Sequence, residues 1–175
     1  VDDTLRRDNG IHSTPHRIAR YVVERMPFET MVEADGTVVE PCSGHGVFLV
    51  AALKRLRDLL DPSWDARRRH RYFADRLLGF ERDGFAREVC KLCLTLADFP
   101  NPNGWSLESA DVFTSRKLVD ALGTASIVLC NPPFEEFSRA ERHQYGAEIG
   151  SSKPLEVLQR VLRYTPAGAS LGFVL

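Results

Sequence analysis

The chain has 175 residues, a typical length for one domain with a buried hydrophobic core. Hydrophobic residues make up 43% of it and charged residues 27%, proportions that are ordinary for a soluble globular protein. The formal net charge of −1 excludes a basic field over the whole chain, so any binding to nucleic-acid phosphates must come from a local patch or from a missing part. The four cysteines have no disulfide-framework spacing, and no apolar run approaches the roughly 18 residues of a membrane span. We therefore expect a cytoplasmic protein with reduced thiols and no membrane partner.

Segments with helical periodicity alternate with short apolar runs, which predicts an α/β fold with a mostly parallel sheet. Thr14-Pro15 is predicted to begin a helix that reaches about Met26, with Ile18, Val22 and Met26 on one face. Five strands are predicted, at Thr37–Glu40, Leu77–Glu81, Ser106–Ala110, Ser126–Cys130 and Ser170–Leu175. We expect a Rossmann-like, three-layer α/β/α domain with strand order 3-2-1-4-5, truncated after the fifth strand.

The segments between the strands predict further helices at 48–60, after the second strand, and at Pro154–Tyr164. Cys90 and Cys93 have zinc-like spacing but fall on the apolar stripe of the second of these helices, so core packing is favoured. The polar segment Asp61–Asp75 contains the run Arg67–Arg71, which could bind phosphates but is more typical of a solvated loop.

A glycine-bearing turn follows the first predicted strand, from Glu40 to Leu49. Gly44 and Gly46 would let the backbone pass close to a ligand at the carboxyl end of that strand. Leu49 stands where a dinucleotide fingerprint needs its third glycine. The alternative is a tight turn without a ligand.

Two acidic residues end the next two strands. Glu81 could accept hydrogen bonds from both hydroxyls of a ribose, or it could be a charge at a helix N-terminus. Asp111 could accept from an adenine amino group, or it could begin a turn.

The fourth strand is followed directly by Asn131-Pro132-Pro133-Phe134. The two prolines stiffen the chain, so the Asn131 side-chain oxygen and the Pro132 carbonyl form a fixed pair of acceptors. Such a pair suits an exocyclic amine, because it favours a pyramidal nitrogen and offsets the positive charge that develops during attack. Phe134 could stack on the base. A rigid turn with a capping Asn is the alternative.

Taken in order, these motifs resemble those of the amino-methyltransferases, specifically the N6-adenine DNA methyltransferases of restriction-modification type with the gamma motif order. Asn-Pro-Pro-Phe is similar to the motif of type I modification subunits and of related fused restriction-modification enzymes. The resemblance spans nearly the whole chain, from Gly10 to Leu175. It implies methyl transfer from S-adenosylmethionine to the N6 amino group of adenine in DNA, without a metal.

The resemblance also implies the roles of individual residues. Thr14 would reach the methionine carboxylate of the cofactor, Glu40 would lie near its amino group, and Glu81 would bind the ribose. Asp111 would bind the cofactor adenine, with Arg82 and Val112 against its faces. The implied cofactor-binding set is Thr14, Glu40, Pro41, Cys42, Gly44, Gly46, Glu81, Arg82, Asp111, Val112 and Asn131. The implied catalytic set is Asn131, Pro132, Pro133 and Phe134.

The chain departs from the family pattern at Ser13, where Tyr or Phe is usual, and at His45, which could crowd the pocket. Because it begins at Val1 and stops inside an apolar run, we expect a fragment of a longer protein. Residues 1–35 would form an N-terminal helical cofactor-binding segment and 36–175 the α/β core. The target-recognition domain would be absent, so the fragment alone is expected to be inactive.

The expected partner is double-stranded DNA, reached through a missing recognition domain or a specificity subunit, with possible restriction subunits. Methylation of RNA or of a protein glutamine amide is an alternative, as is a degenerate cofactor-binding subunit. Phe137, His143 and Tyr145 lie in a predicted loop after the Asn-Pro-Pro-Phe motif, where a lid, a DNA contact and simple packing all stay open.

Overall fold

The computed structural model describes residues 14–101, 103–146 and 149–175. The strands are β1 (Val38–Glu40), β2 (Leu77–Glu81), β3 (Ser106–Ser109), β4 (Ile127–Cys130) and β5 (Ser170–Phe173). They form one sheet of order β3-β2-β1-β4-β5 with every pair parallel, which confirms the predicted order and the Rossmann-like α/β class. The predicted bounds are correct for β2. They are one or two residues too long for the other strands.

The helices are α1 (His16–Val23), α2 (Phe28–Glu33), α3 (Val47–Leu59), α4 (Ala66–Arg76), α5 (Gly84–Ala97), α6 (Arg116–Leu122), α7 (Arg139–Tyr145) and α8 (Lys153–Tyr164). Alternate residues of β1 enter two separate cores, because successive side chains point to opposite faces of a sheet. Val38 packs in a core with α1 to α5, and Val39 packs in a core with α6 and α8. The sheet is thus the middle of three layers. Its parallel strands bring their carboxyl ends to one edge.

The N-terminal helix differs from its prediction. It ends at Val23 rather than near Met26, and α2 begins separately after Pro27. Its buried residues are Ala19 and Val23, while Ile18 is 41% exposed. Of the three residues predicted to share a face, Val22 and Met26 pack against the core and Ile18 does not.

The predicted solvated loop around Arg67–Arg71 is also wrong, because this run lies inside α4. The Asp65 carboxylate caps the helix by accepting from the Arg68 backbone N–H, as N-terminal capping residues do. The buried side of the helix is formed by His70, Phe73 and Ala74. Its amphipathic period is hidden in the sequence because a histidine occupies one of the core positions. None of the helices in the described part of the chain is long and apolar enough to cross a membrane.

The segment after β4 was predicted as a loop, yet it contains α7. Ser138 and Glu141 form a reciprocal capping box: the Ser138 hydroxyl accepts from the Glu141 backbone N–H, and the Glu141 carboxylate accepts from the Ser138 N–H. Because α7 has no buried residue, it gives no apolar periodicity from which a helix could be predicted.

Candidate active site

A cavity of about 900 Å³ lies at the carboxyl ends of β1 to β4. All the predicted site residues line it except Gly46 and Phe134. The residues brought together are Thr14, Glu40, Pro41, Cys42, Gly44, Glu81, Arg82, Asp111, Val112, Asn131, Pro132 and Pro133. They come from four strand ends and from the N-terminal segment, so the sheet topology gathers residues that are up to 119 positions apart (133 minus 14).

The two glycines of the first turn, Gly44 and Gly46, have different structural roles. Gly44 has a φ of +49°, and its backbone N–H donates to Glu81 Oε2 at 2.8 Å. Gly46 has a φ of +79° and directly precedes α3. A Cβ atom on Gly46 would lie 2.5 Å from Cys90 Sγ, which is too close for any side chain. Gly46 therefore permits close packing of the turn on α5 and does not line the cavity.

Glu81 joins the end of β2 to this turn. Its carboxylate accepts from Gly44 and, at 2.7 Å, from the backbone N–H of Asp83. The neighbouring Ser43 N–H donates to the Phe80 carbonyl at 2.9 Å. A carboxylate has about four acceptor positions, so these two bonds leave Glu81 able to accept ribose hydroxyls as well.

Glu40 is the most deeply buried acid of the site, at 2% exposed. Burial raises its pKa well above the ordinary value, and the nearby Cys42 and Glu81 raise it further, against a backbone hydrogen bond from Leu49. Glu40 Oε2 is buried without a hydrogen-bond partner among the described residues. Since buried polar atoms are normally paired, a cationic ligand group fits this oxygen.

Asp111 already accepts two hydrogen bonds. Its Oδ1 accepts from the Phe113 backbone N–H at 2.8 Å, and its Oδ2 accepts from the Tyr145 hydroxyl at 2.6 Å. Arg82 Nη1 lies 3.7 Å from the same Oδ2. Burial, together with the hydrogen bond that the Tyr145 hydroxyl donates to Asp111, raises the pKa of Tyr145 to about 12. Sequence reasoning did not predict the contact between Tyr145 and Asp111, which joins residues 34 positions apart.

Phe137 and Tyr145 are packing residues in this structure. Their rings lie 5.8 Å apart, and the Phe113 ring contacts both, at 4.9 and 5.2 Å between centroids. His143 is exposed. The three aromatic rings hold α7 against the adenine end predicted for the cavity, near Asp111.

The Asn131-Pro132-Pro133 turn forms the wall of the cavity at the carboxyl end of β4. Pro132 is buried, and Asn131 and Pro133 are half-buried. Phe134 is 40% exposed and does not line the cavity, so its stacking on a base stays a prediction. His45 lines the cavity and is half-buried. Ser13 lies outside the described residues.

Three charged residues of this wall were missed by sequence reasoning. Lys153 Nζ lies 2.7 Å from Glu135 Oε2 and 2.9 Å from Glu141 Oε1, and all three residues line the cavity. The Lys153 side chain is only 6% exposed, although in the sequence it is a polar residue at a helix start. Within the described ranges, no group of three or more His, Cys, Asp or Glu residues is placed to hold a metal ion.

Comparison with known proteins gives both a family and a fold. The model of the N-6 DNA methylase family matches residues 3–154. Among curated protein sequences, none matches the chain.

Three of the solved structures that share the fold illustrate the similarity. The modification subunit of a candidate type I restriction enzyme from Vibrio vulnificus YJ016 has a TM-score of 0.59 at 18% identity, over 93% of this chain and 33% of that one. The M protein of the type I restriction enzyme EcoKI has a TM-score of 0.55 at 18% identity, and the match covers 89% of this chain and 32% of that protein. A candidate class I S-adenosylmethionine-dependent methyltransferase from Listeria monocytogenes has a TM-score of 0.62 at 16% identity, and the match covers 94% of this chain and 46% of that protein. The chain spans less than half the length of each.

Proposed function

The chain belongs to the N-6 DNA methylase family, and from this premise we propose that it is the catalytic core of an enzyme that methylates the N6 amino group of adenine in DNA. The supporting observation is the cavity that joins Glu40, Glu81 and Asp111 to the Asn131-Pro132 turn. Residues suited to an S-adenosyl ligand and an acceptor pair suited to a planar amine line the same space.

The residues present fit S-adenosylmethionine. Glu40 Oε2 offers a buried, unpartnered acceptor for an ammonium group, and Glu81 has acceptor positions left for the ribose. Thr14 is 9% exposed and lines the same cavity, where its hydroxyl would donate a hydrogen bond to the methionine carboxylate of the cofactor. Asp111 would accept from the adenine amino group, with Arg82 and Val112 beside the ring.

At the carboxyl end of β4, Asn131 and Pro132 would hold the target amine by accepting its two hydrogens. The lone pair of this nitrogen is delocalised into the purine ring, so the free amine is a poor nucleophile. Two fixed acceptors favour a pyramidal nitrogen and stabilise the positive charge that develops on it. When bound, S-adenosylmethionine supplies the methyl carbon that the amine attacks. The base must leave the helix stack to reach Asn131, as in other enzymes that modify bases.

The partners belong to this proposal too. The chain has a net charge of −1, which is poor for holding DNA phosphates unaided. We propose that the remainder of the protein, or a specificity subunit, supplies target recognition, and that restriction subunits assemble with it. One similar structure is of a type I restriction-modification complex, and the chain covers 30% of the matched protein. Residues 1–35 would form a helical cofactor segment attached to the core at 36–175.

The test is a methylation assay on the full-length protein, with duplex DNA, RNA and a glutamine-containing peptide as substrates. We expect radioactive methyl transfer to adenine in DNA. Asn131→Ala should lower its rate at least about 100-fold, while the Kd for S-adenosylmethionine changes little. Glu81→Ala should instead weaken cofactor binding. Methylation of RNA or of the peptide in place of DNA would refute the proposed substrate. A protein that binds no S-adenosylmethionine would refute the proposed methyltransferase activity.

A further inference from the structure

The chain leaving the Asn-Pro-Pro turn is tied to the start of α8 by backbone contacts. The Phe137 N–H donates to the Ser151 carbonyl at 3.0 Å, and the Lys153 N–H donates to the Glu135 carbonyl at 3.3 Å. Glu136 and Ser152 form an isolated antiparallel bridge between them. The segment that leaves the turn is therefore held next to the start of α8 by backbone hydrogen bonds.

The Lys153 side chain extends this connection to a third element. Its ammonium group contacts Glu135 on the turn exit and Glu141 on α7, at 2.7 and 2.9 Å. The side chain is 6% exposed, and its Nζ lies 5.7 Å from the centre of the Phe137 ring. Burial disfavours the charge on Lys153, but the hydrogen bonds to the two carboxylates outweigh it and raise the pKa. Lys153 thus stays charged inside the cavity wall.

The Lys153 charge is costly to desolvate, and its partners Glu135 and Glu141 stay 34% and 22% exposed, so these ion pairs are weak evidence for stability and point to another role. Only Pro132, Pro133 and Phe134 separate Glu135 from Asn131. Because proline fixes φ, the link is stiff, and a displacement at Glu135 is passed on to the acceptor pair. A displacement of about 1 Å at reacting groups can cost about 100-fold in rate.

We propose that Lys153 is a positioning residue. Through Glu135 it fixes the position of the Asn131-Pro132 acceptor pair, and through Glu141 it connects that pair to α7. This inference rests on the proposed function. Lys153 acts through the turn and does not touch the transferred group.

The test compares Lys153→Met with Lys153→Arg and with a matched surface variant in the full-length protein. The control is Lys117→Met, because Lys117 makes the same 2.7 Å contact with Glu108 but is 72% exposed. We expect Lys153→Met to lower kcat roughly tenfold to 100-fold while the Kd for S-adenosylmethionine stays within about threefold. Lys153→Arg should recover part of kcat, since it keeps the charge, and Lys117→Met should change neither value.

Hydrogen exchange gives a readout that does not depend on turnover. In Lys153→Met the amides of residues 137 and 153, whose hydrogen bonds join the turn exit to α8, should exchange faster, while those of 43, 44 and 46 stay as in the wild type. Glu135→Gln, which removes the charge of one partner and keeps its shape, should make the same amides exchange faster if the Met variant does not fold. Unchanged exchange at residues 137 and 153 would overturn the proposal, as would a loss of kcat and cofactor binding together that Arg does not restore. A wild-type protein that methylates no adenine would refute the proposed function alone, since the exchange result still decides whether Lys153 holds the turn.

Discussion

The two walls of the cavity are held in place by different kinds of interaction. The glycine-turn wall, residues 40–46 with Glu81, is fixed by backbone hydrogen bonds and by close packing of Gly46 on Cys90. The Asn-Pro-Pro wall, residues 131–137 with α7 and α8, has backbone contacts to the start of α8 but is also fixed by side chains, namely the Lys153 ion pairs and an aromatic cluster. The first wall therefore depends mainly on shape, and the second depends in addition on charge. Mutations should separate the two dependences.

The largest effect is expected from Gly46→Ala, which tests the dependence on shape. The new methyl group would clash with Cys90 Sγ in a backbone conformation that already disfavours side chains. Overpacking and left-handed strain together should lower the free energy of unfolding by about 2–4 kcal/mol. Urea denaturation measures this loss.

Gly44→Ala is the matched control, since Gly44 also has a positive φ but no atom lies within 4 Å of a Cβ built on it. It should cost only the backbone strain, about 1 kcal/mol. Equal losses in the two variants would show that packing on Cys90 does not fix the turn.

The same contrast explains what the sequence could predict. The glycine-turn wall is made of contiguous motifs at strand ends, so the positions of Glu40, Gly44 and Glu81 follow from local patterns and from the order of the sheet. The Asn-Pro-Pro wall was predicted only as far as Phe134, where its local motif ends. The contacts of Lys153 and Tyr145 join residues 18 and 34 positions apart, and nothing in the sequence near either residue marks its partner.

The second prediction concerns the buried acid of the glycine-turn wall. Burial raises the pKa of Glu40, so its carboxyl group is more protonated than an ordinary glutamate. A cationic amino group would ionise it on binding and release a proton. The affinity for S-adenosylmethionine should therefore increase as the pH rises through this raised pKa, and Glu40→Gln should lose both the pH dependence and roughly tenfold in affinity.

Calorimetry in two buffers with different ionisation enthalpies measures the released proton. Glu88→Gln is the control, because Glu88 is 63% exposed and lies on the surface of α5. Equal proton release by the wild type and Glu40→Gln would show that Glu40 does not meet the cofactor cation.

The smallest effect is expected from Glu141→Gln, which tests the charge dependence of the Asn-Pro-Pro wall. Burial works against ionised Glu141, but hydrogen bonds from Lys153 and Ser138 lower its pKa to about 2. A carboxyl group with a lowered pKa stabilises the fold above its unfolded pKa, and this contribution is lost as the pH falls from about 4.5 to about 2. Glutamine can still accept from Ser138, so the variant removes the charge and keeps the cap.

Thermal unfolding across this acid range should show the wild type losing stability more steeply than Glu141→Gln, by less than about 1 kcal/mol because the group is partly exposed. Glu108→Gln removes a carboxylate that is 45% exposed and should leave the acid profile unchanged. Parallel profiles for the wild type and Glu141→Gln would mean that the Lys153 cluster contributes no net charge stabilisation. The Asn-Pro-Pro wall would then be held by its backbone bridge and its aromatic packing, as much a matter of shape as the glycine-turn wall.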